Sequence, residues 1–308
     1  MHAWEAIQKS VDYIEEHLQE DISSETLAEM VGLSPFYFQR LFKRLVKKPV
    51  QEYIKLRRLS KVILELGTDE QRILDIALDY GFSSHANFTR AFKKTYGITP
   101  EEYKKSHPRL NTFAKPEVSM NYITIDENVP LIVGNIVLEV QRKQLYSKEV
   151  YLGFASEVNI ADQVPVGEST GIDVPGQLWN NFHARKEKIA DLIDPDIELG
   201  MSHMANSEKG TFTYFAGSFA KSPNVEIRDP FIKQELPAGE YIVCSIEAET
   251  FEELVTTALD QANKYLFGTW LKNHSLVTQS FSAEKYYKGK ANENYMEIWV
   301  IPIPVDSL

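Results

Sequence analysis

Apolar residues recur every three or four positions through the first third of the chain and tend to alternate beyond it. Trp4, Ile7, Val11, Ile14 and Leu18 trace one amphipathic helix. After the cap residues Asp21-Ile-Ser-Ser, Leu27, Ala28 and Val31 place a second, short one. Gly32 ends it, because glycine reaches a positive φ without steric cost. Ser34-Pro35 restarts the chain as N-cap and first helical residue, and Phe38, Leu41, Phe42 and Leu45 form the buried stripe of a third helix. Pro49 opens a longer helix through Tyr53, Ile54, Leu59, Val62, Ile63 and Leu66, closed by Gly67. Ile73, Ile76 and Ala77 then repeat the scheme, with a turn at Gly81 and a helix over residues 84–96. Thr99-Pro100-Glu101-Glu102 is a capping box that begins a seventh helix.

Between His107 and Pro116 the helical period is lost, which predicts a domain over residues 1–108, a linker over 109–116 and a second domain over 117–308. In that second part Val118-x-Met120-x-Tyr122 alternates, residues 131–140 form an apolar run, and residues 150–158, 211–219 and 241–246 are β-rich. Two helices interrupt them. One carries Leu178, Trp179, Phe182 and Ile189; the other carries Phe251, Leu254, Val255, Ala258, Leu259, Ala262, Tyr265 and Leu266. The expected fold is multi-domain: an all-α N-terminal domain followed by an α+β domain with helices against a curved antiparallel sheet.

The helical part writes one pattern twice. Ala28, Gly32-Leu33-Ser34, Arg40, Phe42, Lys43 and Tyr53 return as Ala77, Gly81-Phe82-Ser83, Arg90, Phe92, Lys93 and Tyr103. The copies are offset by one extra residue after the turn. A small residue in one helix, a glycine turn and a second helix with a polar outer face are the parts of a helix-turn-helix, whose second helix reads the major groove. Two copies predict binding to double-stranded DNA in successive major grooves, about 34 Å apart. The candidate contacts are Ser34, Phe36, Tyr37, Gln39, Arg40, Lys43 and Arg44 on the first reader. On the second they are Ser84, His85, Ala86, Asn87, Thr89, Arg90 and Lys93. Gln and Arg suit adenine and guanine edges; Lys43 and Arg44 suit phosphate. A helical bundle with a duplicated scaffold is the bland alternative.

Charge agrees once it is divided. Of 33 basic and 44 acidic residues, 17 and 16 lie within residues 1–110, a balance of +1, which leaves −12 for the remainder. Residues 40–61 hold nine basic side chains (Arg40, Lys43, Arg44, Lys47, Lys48, Lys55, Arg57, Arg58 and Lys61) against Glu52 alone. Screening makes local potential decide phosphate binding. A single cysteine, Cys244, excludes an internal disulfide and a multi-cysteine zinc site. Seven scattered histidines indicate no metal, and no cofactor motif appears. No signal peptide or membrane span is apparent, so a cytoplasmic protein is expected. Gly167-Glu-Ser169-Thr-Gly171 has the outline of a nucleophile elbow without its strand-to-helix context and reads as a loop.

The run from Gly81 to Tyr103 resembles the signature of the AraC/XylS transcription regulators, and the likeness covers residues 5–107. It implies two recognition helices in adjacent grooves and RNA polymerase as a partner of an activator. In the second part, Leu178-Trp179-Asn-Asn-Phe182, Leu236-Pro-Ala-Gly-Glu-Tyr241, Glu284-Lys-Tyr286-Tyr287 and Met296-Glu297-Ile-Trp299-Val-Ile-Pro302 resemble the GyrI-like effector-binding domain. That resemblance implies duplicated β-α-β-β units and a groove for a small, lipophilic or cationic molecule, lined by aromatics and an acidic residue on the last strand. A carboxylate among aromatic faces favours an organic cation on its own chemistry. Glu297 alternates with Tyr295 and Trp299, and Trp179, Phe182, Tyr214 and Tyr286 are candidates for the other walls or simply for core. Two other readings stay open: hydrolysis of a reactive small molecule by Tyr286 with Glu297 as general base, or an adaptor whose acidic domain contacts a protein.

Overall fold

The computed structural model describes residues 2–67, 72–163, 171–288 and 294–307. They form two compact units. The first holds the described residues up to Tyr122 together with Gly171 and Ile172, and the second holds the rest. Apart from Gly171, the elbow-like run at 167–171 lies outside the described residues.

The first unit contains seven helices: α1 (Ala3–Glu16), α2 (Ser24–Met30), α3 (Pro35–Val46), α4 (Val50–Leu66), α5 (Ile73–Asp79), α6 (His85–Tyr96) and α7 (Pro100–Ser106). Their apolar stripes meet in one core around Ile7, Val11, Leu27, Phe38, Phe42, Tyr53, Val62, Phe88 and Phe92. The stretch expected to be a linker is anchored there. Phe113 is buried against Tyr53, and its carbonyl accepts from Arg57 and Ser60. The alternating residues 118–122 are not a strand. They form a 3-10 turn (Val118–Asn121) whose Val118 N–H donates to Gln8, while Tyr122 stacks on Trp4. Docking onto α1, not a sheet, buries Val118 and Met120. Two short strands, β1 (Leu110–Asn111) and β5 (Gly171–Ile172), pair antiparallel in this unit, with three strands of the second unit between them in the chain.

The second unit is built on one antiparallel sheet. Its strands are β2 (Leu131–Val133), β3 (Ile136–Leu145), β4 (Glu149–Asn159), β6 (Ile193–Asn206), β7 (Thr211–Ala220), β8 (Ile232–Leu236), β9 (Gly239–Glu247), β11 (Ser282–Tyr287) and β12 (Tyr295–Val300). Between β9 and β11 stand a long helix over residues 251–273 and a short strand, β10 (Leu276–Thr278), which pairs with β13 (Pro302–Pro304). The order across the sheet is β2-β3-β9-β12-β11-β6-β7-β4-β8. Apart from β2 at one edge, the order is symmetric about the β11–β6 pair. The copies β4-α8-β6-β7, where α8 is Val174–His183, and β9-helix-β11-β12 meet through β6 and β11. The strand preceding each copy crosses to the other, β3 onto β9 and β8 onto β4. The duplicated β-α-β-β scheme is thus realised. Two local expectations differ: Gly134, at positive φ, breaks residues 131–140 into the hairpin β2–β3, and α8 ends at His183, leaving Ile189 on a separate 3-10 turn.

Strand alternation divides the unit's side chains between two faces. On one, Val150, Leu152, Phe154 and Tyr214 pack against Leu178 and Phe182 of α8. On the other, Tyr151, Leu199, Met201, Phe215, Tyr241, Val243 and Trp299 form a separate cluster to which neither α8 nor the long helix contributes.

Candidate DNA interface and ligand cleft

The two helix-turn-helix turns are built alike. Gly32 and Gly81 both take positive φ, 70° and 73°. The next amide reaches back to the small residue of the preceding helix, Leu33 to Ala28 at 2.9 Å and Phe82 to Ala77 at 3.0 Å. With the glycine amides bound to Glu29 and Leu78 carbonyls, each turn is a Schellman closure. The copies then part by one residue. Ser34 caps α3 directly, accepting from Tyr37 N–H, whereas Ser83 intervenes before Ser84 caps α6, accepting from Asn87 N–H.

Burial of Phe38, Leu41, Phe42 and Val46 turns the opposite side of α3 outward. Ser34, Phe36, Tyr37, Gln39, Arg40, Lys43 and Arg44 are all exposed, with Phe36 at 72%. The Arg40 guanidinium lies 5.7 Å from the Phe36 ring centroid, and Arg40, Lys43, Arg44 and Lys47 line one shallow concavity. On α6, Ser84, His85, Ala86, Asn87, Arg90 and Lys93 are exposed. Thr89 is not presented in this way: its side chain is half-buried and its hydroxyl is shielded, without a hydrogen-bond partner. His85 Nε2 stands 3.0 Å from Glu101 of α7, and the Asn87 amide donates to Ser83.

The basic stripe on α4 is partly structural. Arg57 holds Glu15 through two hydrogen bonds of 2.8 Å, and both side chains are mostly buried. Arg58 donates to the carbonyls of Leu18 and Glu20 beyond α1. These two guanidiniums fasten α4 to α1. Arg40, Lys43 and Arg44 of α3 are instead exposed.

In the second unit the seven predicted ligand residues do not form one wall. Lys285 pairs with Glu297, and Tyr286 with Met296, across β11 and β12, so Tyr286 and Glu297 point to opposite faces. Trp179 and Phe182 of α8 meet Tyr214 and Tyr286 on the helix-covered face, beside a carboxylate that no local sequence signal marks, Glu284. Glu284 accepts from Tyr286 at 2.9 Å and Tyr214 at 3.1 Å, and Trp179 donates to the Tyr214 hydroxyl at 3.1 Å. Gly200 faces Glu284 across the central strand pair and makes room for this contact: a Cβ there would stand 2.3 Å from the Tyr214 hydroxyl. Burial, then the Asp173 charge, pushes the Glu284 carboxyl up against the pull of its tyrosines. Asp260, on the long helix, is raised by burial to about 7, with Glu284 and Asp173 adding to the rise against Lys264. At the rim of the same face, buried Glu198 is held by His183, Lys186 and Lys288 at 2.9–3.1 Å. Burial opposes ionisation there, but these partners bring its carboxyl down to about 2.

Tyr295, Glu297 and Trp299 lie together on the opposite face. Glu297 is 3% exposed and accepts four hydrogen bonds: Lys143 Nζ at 2.7 Å, Tyr295 at 2.6 Å, Tyr287 at 2.8 Å and the Trp299 indole at 2.8 Å. Four donors fill a carboxylate's capacity. Burial pushes its carboxyl up, yet Lys143 and the hydroxyls prevail and hold it below the ordinary value. Beside it, Lys285 bonds both oxygens of Glu149 and sits 4.5 Å from the Trp299 ring centroid. Tyr151 also donates to Glu149. Lys285 and Glu149 stand on strands three apart, roughly 14 Å in a flat sheet. Their contact requires the sheet to curl toward this face, which makes it concave. Its parts suit recognition of a charged organic molecule: two carboxylates, two ammonium groups and a wall of aromatic rings.

The hydrolytic pairing of Tyr286 with Glu297 is not assembled, because the sheet stands between them. Sequence alone could have grouped Lys285 with Tyr287 by alternation. Their match to Glu297 depends on the β11–β12 register.

Comparison with known proteins agrees with this architecture. A model described as a helix-turn-helix domain matches residues 27–106, and one described as an integron-associated effector binding protein matches residues 167–303. The transcriptional regulator Rob of Salmonella typhimurium is 36% identical over 240 residues, covering 76% of this chain and 75% of Rob. The chain belongs to the AraC family of transcription regulators. Two further AraC-family relatives match shorter stretches. The HTH-type transcriptional regulator YbfP of Bacillus subtilis is 42% identical over 112 residues, 36% of this chain. The regulatory protein SoxS of Salmonella typhimurium is 36% identical over 98 residues, 32% of this chain and 92% of SoxS. The matched part spans 38% of the length of YbfP. As an AraC-family member the protein is a DNA-binding transcription regulator that carries an effector-binding domain. No helix among its described residues is long and apolar enough to cross a membrane.

Proposed function

We propose that the protein is a cytoplasmic transcription activator whose α3 and α6 enter successive major grooves and whose concave sheet face binds a small organic cation. RNA polymerase is its protein partner in this reading. Arg40 and Gln39 read bases on one side, Asn87 and Arg90 on the other, and Lys43, Arg44 and Lys93 hold phosphates. The two readers share the capping serine, one arginine and one lysine but differ at Phe36 against Ala86, Tyr37 against Asn87 and Gln39 against Thr89, so a single chain recognises an asymmetric site without a partner copy. A ligand shifts promoter output only by binding one arrangement of the protein more tightly than another.

The observation that carries the ligand reading is the Glu297 carboxylate, buried and ionised on an aromatic face that neither α8 nor the long helix covers. Ion pairing and cation–π attraction act together there, each strengthened by exclusion of water. A thermal-shift screen of the full chain with matched cationic, neutral and anionic aromatic compounds tests it. Cations should stabilise the protein, and Glu297→Gln should abolish their effect. Stabilisation by anions alone, or cation effects that survive Glu297→Gln, would overturn the assignment.

A further inference from the structure

The concave face already contains the kind of group it is suited to bind. Lys143, on β3, bonds Glu297 at 2.7 Å and places its ammonium 5.7 Å from the Trp299 ring centroid. A carboxylate and an indole face are what an external organic cation would seek. Lys285 does the same between Glu149 and Trp299, but the two lysines are not equivalent. The Lys285 side chain is 5% exposed and bonds both oxygens of its partner, whereas that of Lys143 is 30% exposed and holds one oxygen. With both in place, Glu149 and Glu297 are balanced charge for charge.

We propose that Lys143 is a tethered surrogate ligand that sets the specificity of this face, so that a molecule binds only by bringing a positive charge to the place its ammonium occupies. The inference rests on the concave-face reading above. Lys143 can swing out because its side chain is already part-exposed and its stem is flexible. Once it leaves, Tyr295, Tyr287 and the Trp299 indole still donate to Glu297, so the carboxylate stays ionised and carries one unbalanced charge. A neutral molecule of the same shape cannot replace the ammonium, since it would leave that buried charge unpaired. Tethering raises the effective concentration of the internal competitor, so an external cation must outbind an intramolecular contact.

The test uses the full-length protein and two isosteric probes, phenyltrimethylammonium and tert-butylbenzene, titrated by isothermal calorimetry. Lys143→Met should tighten phenyltrimethylammonium binding at least tenfold and leave tert-butylbenzene unchanged. Adding Glu297→Gln should erase the gain. Lys143→Arg, which keeps the charge and can hold the carboxylate through two bonds, should weaken cation binding relative to the unsubstituted protein. If Lys143→Met binds the cation no better while the unsubstituted protein binds it in a Glu297-dependent way, the surrogate is refuted and the cleft stands. If no variant binds the cation, or binding ignores Glu297, both the surrogate and the concave-face reading fall. Equal gains for the cation and its neutral isostere would show that Lys143 only occupies space, which also overturns the proposal.

Discussion

Asp260 offers a test with an unusual sign. Its carboxyl lies on the long helix near Glu284 and Asp173, and burial with those two charges raises it to about 7 from the ordinary 3.8, Lys264 notwithstanding. In the unfolded chain the group loses its proton near the ordinary value. Between the two values the folded state therefore holds more protons than the unfolded state, and stability falls as pH rises through that window. Above pH 7 the loss is complete. Each unit of difference corresponds to about 1.4 kcal/mol, so the full interval would cost roughly 4 kcal/mol, and about 2 is reasonable for a side chain that water partly reaches. Asp260→Asn cannot ionise and should stabilise the second unit by about that much at pH 8, with little effect at pH 4. Three of the four tryptophans, Trp179, Trp270 and Trp299, lie in this unit, so urea unfolding followed by tryptophan emission reports on it. Destabilisation by Asp260→Asn at pH 8, or an equal effect at both pH values, would refute the reasoning.

Two further predictions concern glycines. Gly32→Ala and Gly81→Ala both force a side chain into positive φ at a cost of about 1–2 kcal/mol, but only at Gly81 would the new Cβ meet a neighbour, Arg58 Nη1 at 2.8 Å. Helical circular dichroism during thermal unfolding should show the larger loss for Gly81→Ala, and an equal loss would argue against the Arg58 contact. Gly200→Ala should drive the Tyr214 hydroxyl away from Glu284 and cost about 1–3 kcal/mol by overpacking. Restoring space with Tyr214→Phe in the same chain should recover part of that loss, and strictly additive losses would contradict the proposed contact.

The helical unit was legible because each of its signals is local. A glycine at the turn, a serine cap and apolar residues three or four apart are close in sequence, and the structure joins them within one or two turns. The sheet was legible only in part. β4, β7 and β9 alternate or run apolar, but β6 begins Ile-Asp-Pro-Asp and carries an irregular register between Asp194 and Glu198, which hides its period. β8 lies at the edge, and its Lys233, Gln234 and Glu235 look like loop. The ligand face suffered most. The resemblance and the chemistry of a carboxylate among aromatic rings put Tyr286 with Glu297, whereas side-chain direction depends on pairing register, and a one-residue change inverts it. Lys143 and Glu149 precede Glu297 by more than 140 residues, so nothing local in the sequence announces that they meet. Arg57 and Arg58 show the same limit from the other side: they look like phosphate contacts in a basic run and serve instead as internal ties.

The central claim is that one chain reads an asymmetric site through two unlike helices, and selection of bound duplexes from a random library tests it most directly. The full-length protein should enrich two different sequence blocks about one helical turn, roughly 10 base pairs, apart. Arg40→Ala should relax one block and Arg90→Ala the other, each at about 1–3 kcal/mol of discrimination. A palindromic site, a single block, or relaxation of the same block by both substitutions would contradict it.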